Sequence, residues 1–115
     1  MIQIILDLPP SVNRLWGVNK SGRMYKTTKY SLWLRVSVWE AASQSKGQKI
    51  TGPFQLRMEV VRPDKRKRDL DNLLKASLDC LTSAGVIADD SFCEHIEAKW
   101  VPFGPACTLT IIPQK

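Results

Sequence analysis

The sequence has few of the features that mark small secreted or membrane proteins. Its 115 residues include three cysteines without a C-x-x-C spacing and a single histidine, which disfavours a disulfide framework or a zinc knuckle and indicates reduced thiols. No apolar run approaches the roughly 18 to 20 residues of a membrane-spanning helix, and the N-terminus lacks the basic leader of a secretory signal. We therefore expect a cytoplasmic protein without a membrane partner, folded as a single domain over residues 1–115.

Acidic residues are scarce in the first half of the chain, and positive charge accumulates there. Residues 1–60 contain nine Lys and Arg against three acids, and residues 62–68 add five bases against Asp64. Residues 69–115 reverse the balance with seven acids against three bases, which leaves a net charge of +6. Diffuse positive charge indicates a polyanionic partner, because Lys and Arg contacts release phosphate counterions. A solvated charged loop is the alternative for the basic run taken alone.

Hydrophobic periodicity predicts four strands and two helices. Apolar residues alternate with polar ones at 2–8, 54–60, 96–100 and 107–111, as in half-buried strands. Residues 28–44 fit a strand or a helix, and their uninterrupted length favours a helix. An apolar stripe at 3.6-residue spacing predicts a second helix from Leu70 to Ala84, with Asp69 as N-cap and Gly85 as stop. The order predicts an α+β fold: a mixed sheet of about four strands with two helices packed on it.

Two cationic segments are candidates for nucleic-acid contacts. In the loop 12–27, basic residues alternate with aromatic residues, which suits a nucleic-acid surface. Asn19–Gly22 could form the turn of a hairpin there. Aromatic side chains packed against the body of the protein are the alternative. The residues expected to contact DNA in this loop and in the basic run are Arg14, Lys20, Arg23, Lys26, Lys65, Arg66, Lys67 and Arg68.

Aspartates follow the basic run at once. Six of them could contribute to a site: Asp64, Asp69, Asp71, Asp79, Asp89 and Asp90. Carboxylates are the hard ligands that Mg²⁺ prefers, and metal-assisted phosphodiester hydrolysis needs several of them beside a cation. Each also has a structural interpretation: Asp69 as a cap, Asp71 as a complement to the helix dipole, and Asp79 as an i,i+4 partner of Lys75. Spacing alone leaves both interpretations open.

The motif around these acids resembles a known family. The run from Arg66 to Lys75 has the sequence R-K-R-D-L-D-N-L-L-K, and Asp79, Gly85 and Asp89-Asp90 follow it. Together with L-P-P-S-V-N-R at 8–14, this run resembles the RusA family of Holliday-junction resolvases. The resemblance implies a RusA-like fold and a homodimer, often encoded by prophages, that uses Mg²⁺ (with Mn²⁺ as the alternative ion). The catalytic residues that it implies are the metal-binding Asp69, Asp71 and Asp90 and the lysine Lys75.

Helix geometry tests whether these residues can meet. On a helix Asp71 and Lys75 lie one turn apart on the same flank, while Asp69 must stand outside the helix to join them. A helix from Leu70 to Ala84 is about 22 Å long, and residues 86–90 return at most about 17 Å when extended. We expect the three aspartates to meet within one chain if that segment doubles straight back along the helix. Otherwise Asp90 comes from a partner subunit.

These observations predict a Mg²⁺-dependent, structure-selective endonuclease that resolves four-way DNA junctions by paired symmetric nicks in recombination and repair. Because a four-way junction is two-fold symmetric, two matched sites in a homodimer are expected. Trp33 and Trp39, with the apolar run 32–38, give the first helix more apolar surface than one sheet covers; burial of both tryptophans in the core is the alternative. The competing function is a non-catalytic basic DNA-binding module whose acids are caps and solvating charges.

Overall fold

The fold is described from a computed structural model that covers residues 1–11 and 16–114. The strands and helices in chain order are β1 (Ile2–Leu6), β2 (Trp16–Val18), β3 (Met24–Lys26), α1 (Thr28–Ser45), β4 (Phe54–Val61), α2 (Leu74–Ser83), β5 (Cys93–Val101) and β6 (Cys107–Pro113). Two short 3₁₀ turns, Leu70–Leu73 and Asp90–Phe92, precede α2 and β5.

The strands form one mixed sheet and one hairpin. The sheet has the order β1-β6-β4-β5, in which β4 and β5 are parallel and the other neighbours are antiparallel. Parallel neighbours need a crossover connection, and α2 lies within it. Strands β2 and β3 pair separately as a hairpin. The predicted α+β class with a mixed four-stranded sheet is therefore confirmed.

One face of the sheet is packed against the two helices. Along β4 the side chains Phe54, Leu56, Met58 and Val60 are buried, and they share one apolar cluster with residues of both helices. The intervening β4 residues face the other side, where the Arg57 guanidinium pairs with Glu97 at 2.9 Å. The period-two alternation along β4 therefore reflects a two-layer domain, in which the helices cover one face of the sheet.

Element boundaries differ from the prediction in three places. Residues 70–84 are not one helix, because the first turn is 3₁₀ and α2 spans Leu74–Ser83. The predicted strand at 96–100 begins earlier, at Cys93, and its Ile96 is 46% exposed since β5 is an edge strand. The first strand is predicted over residues 2–8, but β1 ends at Leu6. The residues at 28–44 do form a helix, as the length of that stretch predicts.

The cysteines differ in burial. The three cysteines are free, with Cys80 and Cys107 buried and Cys93 half-buried. Burial raises the pKa of the Cys80 and Cys107 thiols to about 12. No helix within the described residues has the length and apolarity needed to cross a membrane.

Candidate active site

Two of the predicted catalytic acids lie at the turn that precedes α2. Asp69 has an extended backbone (φ −87°, ψ 116°) and occupies the N-cap position of the 3₁₀ turn, so it stands outside the regular helix. The predicted N-cap position of Asp69 is confirmed, but its carboxylate makes no capping hydrogen bond. Instead, the Asn72 amide lies 3.5 Å from Asp69 Oδ2. Asp71 lies within the turn and is exposed.

Lys75 is held by a neighbouring carboxylate one turn along α2. Its Nζ donates to Asp79 Oδ1 at 2.9 Å, which is the i,i+4 pair that the spacing indicates. The other oxygen of Asp79 accepts a hydrogen bond from the Tyr30 hydroxyl at 2.8 Å. The hydrogen bond to Asp79 is the main cause of a raised pKa at Lys75, and the charges of Asp79 and Asp90 contribute to it. Lys75 is therefore a stable cation at neutral pH.

Asp90 lies beside the second half of α2, where it lines an opening with Asp79, Thr82 and Ser83. It opens the 3₁₀ turn Asp90–Phe92, which contacts α2, and β5 then contacts the turn Leu70–Leu73. The meeting of the three aspartates within one chain stays a prediction. The adjacent Asp89 has a different task, because its carboxylate accepts hydrogen bonds from the Ser91 amide at 3.0 Å and from the Ser91 hydroxyl. Asp90 is half-buried, and its charge acts on Lys75.

Two cavities open beside these residues. The first, which we name the Asp69 groove, has a volume of about 400 Å³, and its charged and amide side chains are Lys29, Lys67, Arg68, Asp69 and Asn72. The second, which we name the Asp90 cavity, has a volume of about 210 Å³, and its aromatic and charged side chains are Trp16, Lys26, Tyr30, Asp79, Asp89 and Asp90. The three predicted catalytic acids are therefore not brought together in one opening: Asp69 lines the groove, Asp90 lines the cavity, and Asp71 lines neither.

The predicted hairpin is present, and its lysine and arginine side chains are exposed. Asn19 Oδ1 accepts hydrogen bonds from the amides of Ser21 and Arg23, and the Asn19 carbonyl accepts from the amide of Gly22. Gly22 has a φ of 83°, a conformation that favours glycine. The hairpin residues Lys20, Arg23 and Lys26 are exposed, while Arg14 lies outside the described residues. Lys26 Nζ lies 6.0 Å from the centre of the Tyr30 ring, which places this base at the Asp90 cavity.

The basic run is organised around its one acid. Asp64 Oδ2 pairs with Arg68 at 2.9 Å and with Arg66 at 3.0 Å. These contacts, with the Arg68 hydrogen bond first, lower the pKa of Asp64 to about 2. Arg68 and Lys67 line the Asp69 groove, whereas Lys65 is exposed outside it. The run is therefore not a uniform charged loop, because part of it forms the wall of a groove.

Two residues of α1 belong to these openings although the sequence does not single them out. Lys29 lines the Asp69 groove, and Tyr30 lines the Asp90 cavity with its side chain buried. A buried tyrosine usually has a hydrogen-bond partner for its hydroxyl, so a tyrosine predicted to be buried indicates that a polar side chain lies nearby. The partner, Asp79, is 49 residues away in sequence, so only the fold identifies it.

The donor set decides which ions suit the site. Among residues 1–11 and 16–114, no three or more His, Cys, Asp or Glu side chains are grouped so that they could hold a metal ion. Mg²⁺ usually takes only one or two carboxylates from a protein and completes its shell with water and substrate phosphates. A single carboxylate such as Asp69, in the wall of the cationic groove, fits an ion that is shared with a phosphate backbone.

Comparison with protein families identifies the class of protein. The model of the family described as "Endodeoxyribonuclease RusA" matches residues 7–111. That match includes the hairpin, both helices, the basic run and every predicted catalytic residue. The chain therefore belongs to the RusA family of endodeoxyribonucleases.

Individual relatives agree with this assignment. The chain is 40% identical over 92 residues to the crossover junction endodeoxyribonuclease of Enterobacteria phage 82, an alignment that covers 76% of this chain and 72% of the relative. It is 35% identical over 88 residues to the protein of the same name from Escherichia coli strain K12, with the same coverage of 76% and 72%. It is 35% identical over 72 residues to the Aquifex aeolicus protein, covering 63% of this chain but 57% of that relative's length.

Proposed function

We propose that this chain is an endonuclease that nicks four-way DNA junctions, with residues 1–115 acting as one nuclease domain. The observation that supports it best is the cationic groove that has the Asp69 carboxylate in its wall, at the turn before α2. A non-catalytic DNA-binding module would use these acids as helix caps and solvating charges. Asp69 occupies an N-cap position without a capping hydrogen bond, so capping alone does not explain an acid there. The names of the phage and bacterial relatives point to the same substrate.

The proposed site holds a divalent ion between the chain and the DNA. We assign Asp69, Asp71 and Asp90 as its ligands, with Mg²⁺ as the ion and Mn²⁺ as the alternative. When bound, such an ion supplies Lewis-acid stabilisation of the phosphate and lowers the pKa of a bound water. The effect of the Asp90 charge on the pKa of Lys75 supports a site built within one subunit.

The side chains of the protein orient the phosphate and neutralise its charge. Because the pKa of Lys75 is raised, this lysine acts as a cation beside the scissile phosphate and not as a base. In the Asp69 groove, Lys29, Lys67 and Arg68 bind the phosphate backbone. Contacts of this kind position a protein on DNA without reading its sequence, so junction shape selects the substrate.

The proposed assembly is a homodimer formed through α1. Three large apolar side chains, Leu32, Val36 and Trp39, follow one face of this helix and are 55%, 50% and 70% exposed. Trp33 is different, because it packs against the core and its indole nitrogen donates to the Asp7 carbonyl at 3.2 Å. An exposed apolar stripe on a helix suits an isologous contact with a second copy, which gives the two sites that a symmetric junction needs.

The decisive experiment compares synthetic DNA substrates. The purified chain is incubated with a four-way junction and with a linear duplex made from the same sequences, in Mg²⁺, in Mn²⁺ and in EDTA. Paired nicks on opposing strands of the junction alone, dependent on the ion, support the proposal. Junction binding without cleavage in either ion would establish the DNA-binding module instead.

The assembly has its own test. The mass of the chain in solution at micromolar concentration is measured for wild type and for Trp39→Glu, which places a charge on the exposed stripe. We expect a dimer for wild type and a monomer for the variant, with Lys49→Glu, a charge change elsewhere on the surface, still dimeric. A wild-type monomer that makes paired nicks within one binding event contradicts the dimer.

A further inference from the structure

A single carboxylate joins the two helices beside the site. Asp79 on α2 uses one oxygen for Lys75 at 2.9 Å and the other for the Tyr30 hydroxyl of α1 at 2.8 Å. Its side chain is only 24% exposed, while that of Lys75 is 51% exposed. The carboxylate thus lies between a buried donor and a cation that reaches toward solvent.

Tyr30 is a rigid anchor for this contact. Its ring stacks on Trp33 with centres 6.5 Å apart and planes inclined by 20°, and it meets Trp16 at 6.5 Å with a tilt of 60°. The side chain is 1% exposed. A phenol packed in this way has no freedom to swing its hydroxyl, so Asp79 receives its hydrogen bond from a fixed direction.

We propose that Asp79 is a positioning residue for Lys75, and that the Tyr30 hydroxyl holds the Asp79 carboxylate in place. The inference rests on the proposed function, in which Lys75 faces the scissile phosphate. An ammonium group has three donors, so the bond to Asp79 leaves two for phosphate oxygens. A lysine side chain is otherwise free to sample many rotamers, and misplacing a charged group by about 1 Å can cost roughly a hundredfold in rate.

The contact pattern separates this role from simple helix stabilisation. An exposed i,i+4 pair stabilises a helix only weakly, and it needs no third partner. Here the pair is tied to a buried hydroxyl from another helix, and the same carboxylate lines the Asp90 cavity. The raised pKa of Lys75 is consistent with a cation that is held and not free.

The test separates the rate of cleavage from junction binding and from stability. Single-turnover cleavage at saturating enzyme is measured for Asp79→Asn and Tyr30→Phe, junction affinity is measured in EDTA, and the melting temperature is recorded. We expect the rate to fall roughly a hundredfold for Asp79→Asn and about tenfold for Tyr30→Phe. Affinity should stay within about twofold of wild type, because the loss concerns the transition state and not ground-state binding.

Ser77→Ala is the matched control. It removes a buried hydroxyl of α2 that donates to the carbonyl of Leu73, in the preceding 3₁₀ turn, at 2.9 Å and contacts Met58 Sδ at 3.7 Å, and this hydroxyl makes no hydrogen bond to Lys75, Asp79 or Tyr30. We expect this variant to lower the melting temperature without lowering the rate. A Tyr30→Phe rate equal to that of Ser77→Ala overturns the proposal.

A double substitution shows whether the tyrosine acts through the lysine. In a Lys75→Gln background, Tyr30→Phe should cause no further loss of rate, whereas two independent roles would give additive losses and overturn the proposal. The two proposals also fail separately. If wild type cleaves and Asp79→Asn cleaves equally well, only the positioning role is wrong; if wild type cleaves no junction, the proposed function is wrong and the positioning role with it.

Discussion

The Asp69 groove and the Asp90 cavity differ in the charge that they present. The groove has three cations, Lys29, Lys67 and Arg68, against one carboxylate. The cavity has three carboxylates, Asp79, Asp89 and Asp90, against Lys26. A cationic groove attracts a phosphate backbone, whereas a carboxylate cavity attracts cations. The charge balance therefore favours phosphate at the groove, which has the proposed ligand Asp69 in its wall, and cations at the cavity, which has the proposed ligand Asp90.

The start of α1 links the two openings. Lys29 and Tyr30 are neighbours in sequence, yet Lys29 lines the groove and Tyr30 lines the cavity. Successive residues of a helix point about 100° apart, so one turn of α1 serves both openings. Substitutions at adjacent positions should therefore separate binding from cleavage.

The largest expected effect is at Asp71, on the turn before α2. Asp71→Asn removes the charge of a proposed metal ligand and also a repulsion against phosphate. We expect a loss of cleavage by roughly a hundredfold or more, with junction binding unchanged or tighter. Gel-shift titration and single-turnover assays measure the two quantities. Cleavage near the wild-type rate by a correctly folded variant would show that Asp71 is not a ligand.

The next effect separates two adjacent acids of the Asp90 cavity. Asp90→Asn should reduce cleavage roughly a hundredfold, because it removes a proposed ligand. Asp89→Asn should change the rate little, since Asp89 serves the Ser91 amide and asparagine is an equally good cap. Both variants are compared by the rate of junction cleavage and by melting temperature. Equal losses for the two would contradict the division of roles.

A smaller effect is expected at the groove. Replacing Lys29 and Lys67 together with alanine should weaken junction binding and reduce the slope of log affinity against log salt by about two units. The single-turnover rate at saturating DNA should change much less. Lys49→Ala, an exposed lysine that lines neither opening, is the control. A slope that matches the control would mean that the two lysines do not contact phosphate.

The sequence predicts the layers of this fold better than it predicts the site. Period-two runs such as Phe54–Val60 identify strands because one face of the sheet is buried, and the D-L-D-N motif identifies the family. The edge strand β5 is predicted too short, since its partly exposed face weakens the alternation. The ligand assignments stay predictions. Asp79 is visible only as a helix pair until the fold brings Tyr30 to it.

The smallest expected effect concerns the acid in the basic run. Asp64 holds Arg68 of the groove much as Asp79 holds Lys75, but no buried group anchors it. Its pKa is lowered to about 2, chiefly by the Arg68 hydrogen bond. A depressed carboxyl pKa stabilises the fold above the unfolded value near 4, and this contribution is lost as pH falls through about 2. The Asp64 carboxyl resonance should therefore titrate near pH 2 by NMR, and a midpoint at the ordinary value would contradict the pairing.

Because the pair is exposed, Asp64→Asn should shift the melting temperature only slightly, and it should lower the cleavage rate far less than Asp79→Asn. Equal losses of rate would mean that the buried tyrosine is not what makes the Asp79 contact important.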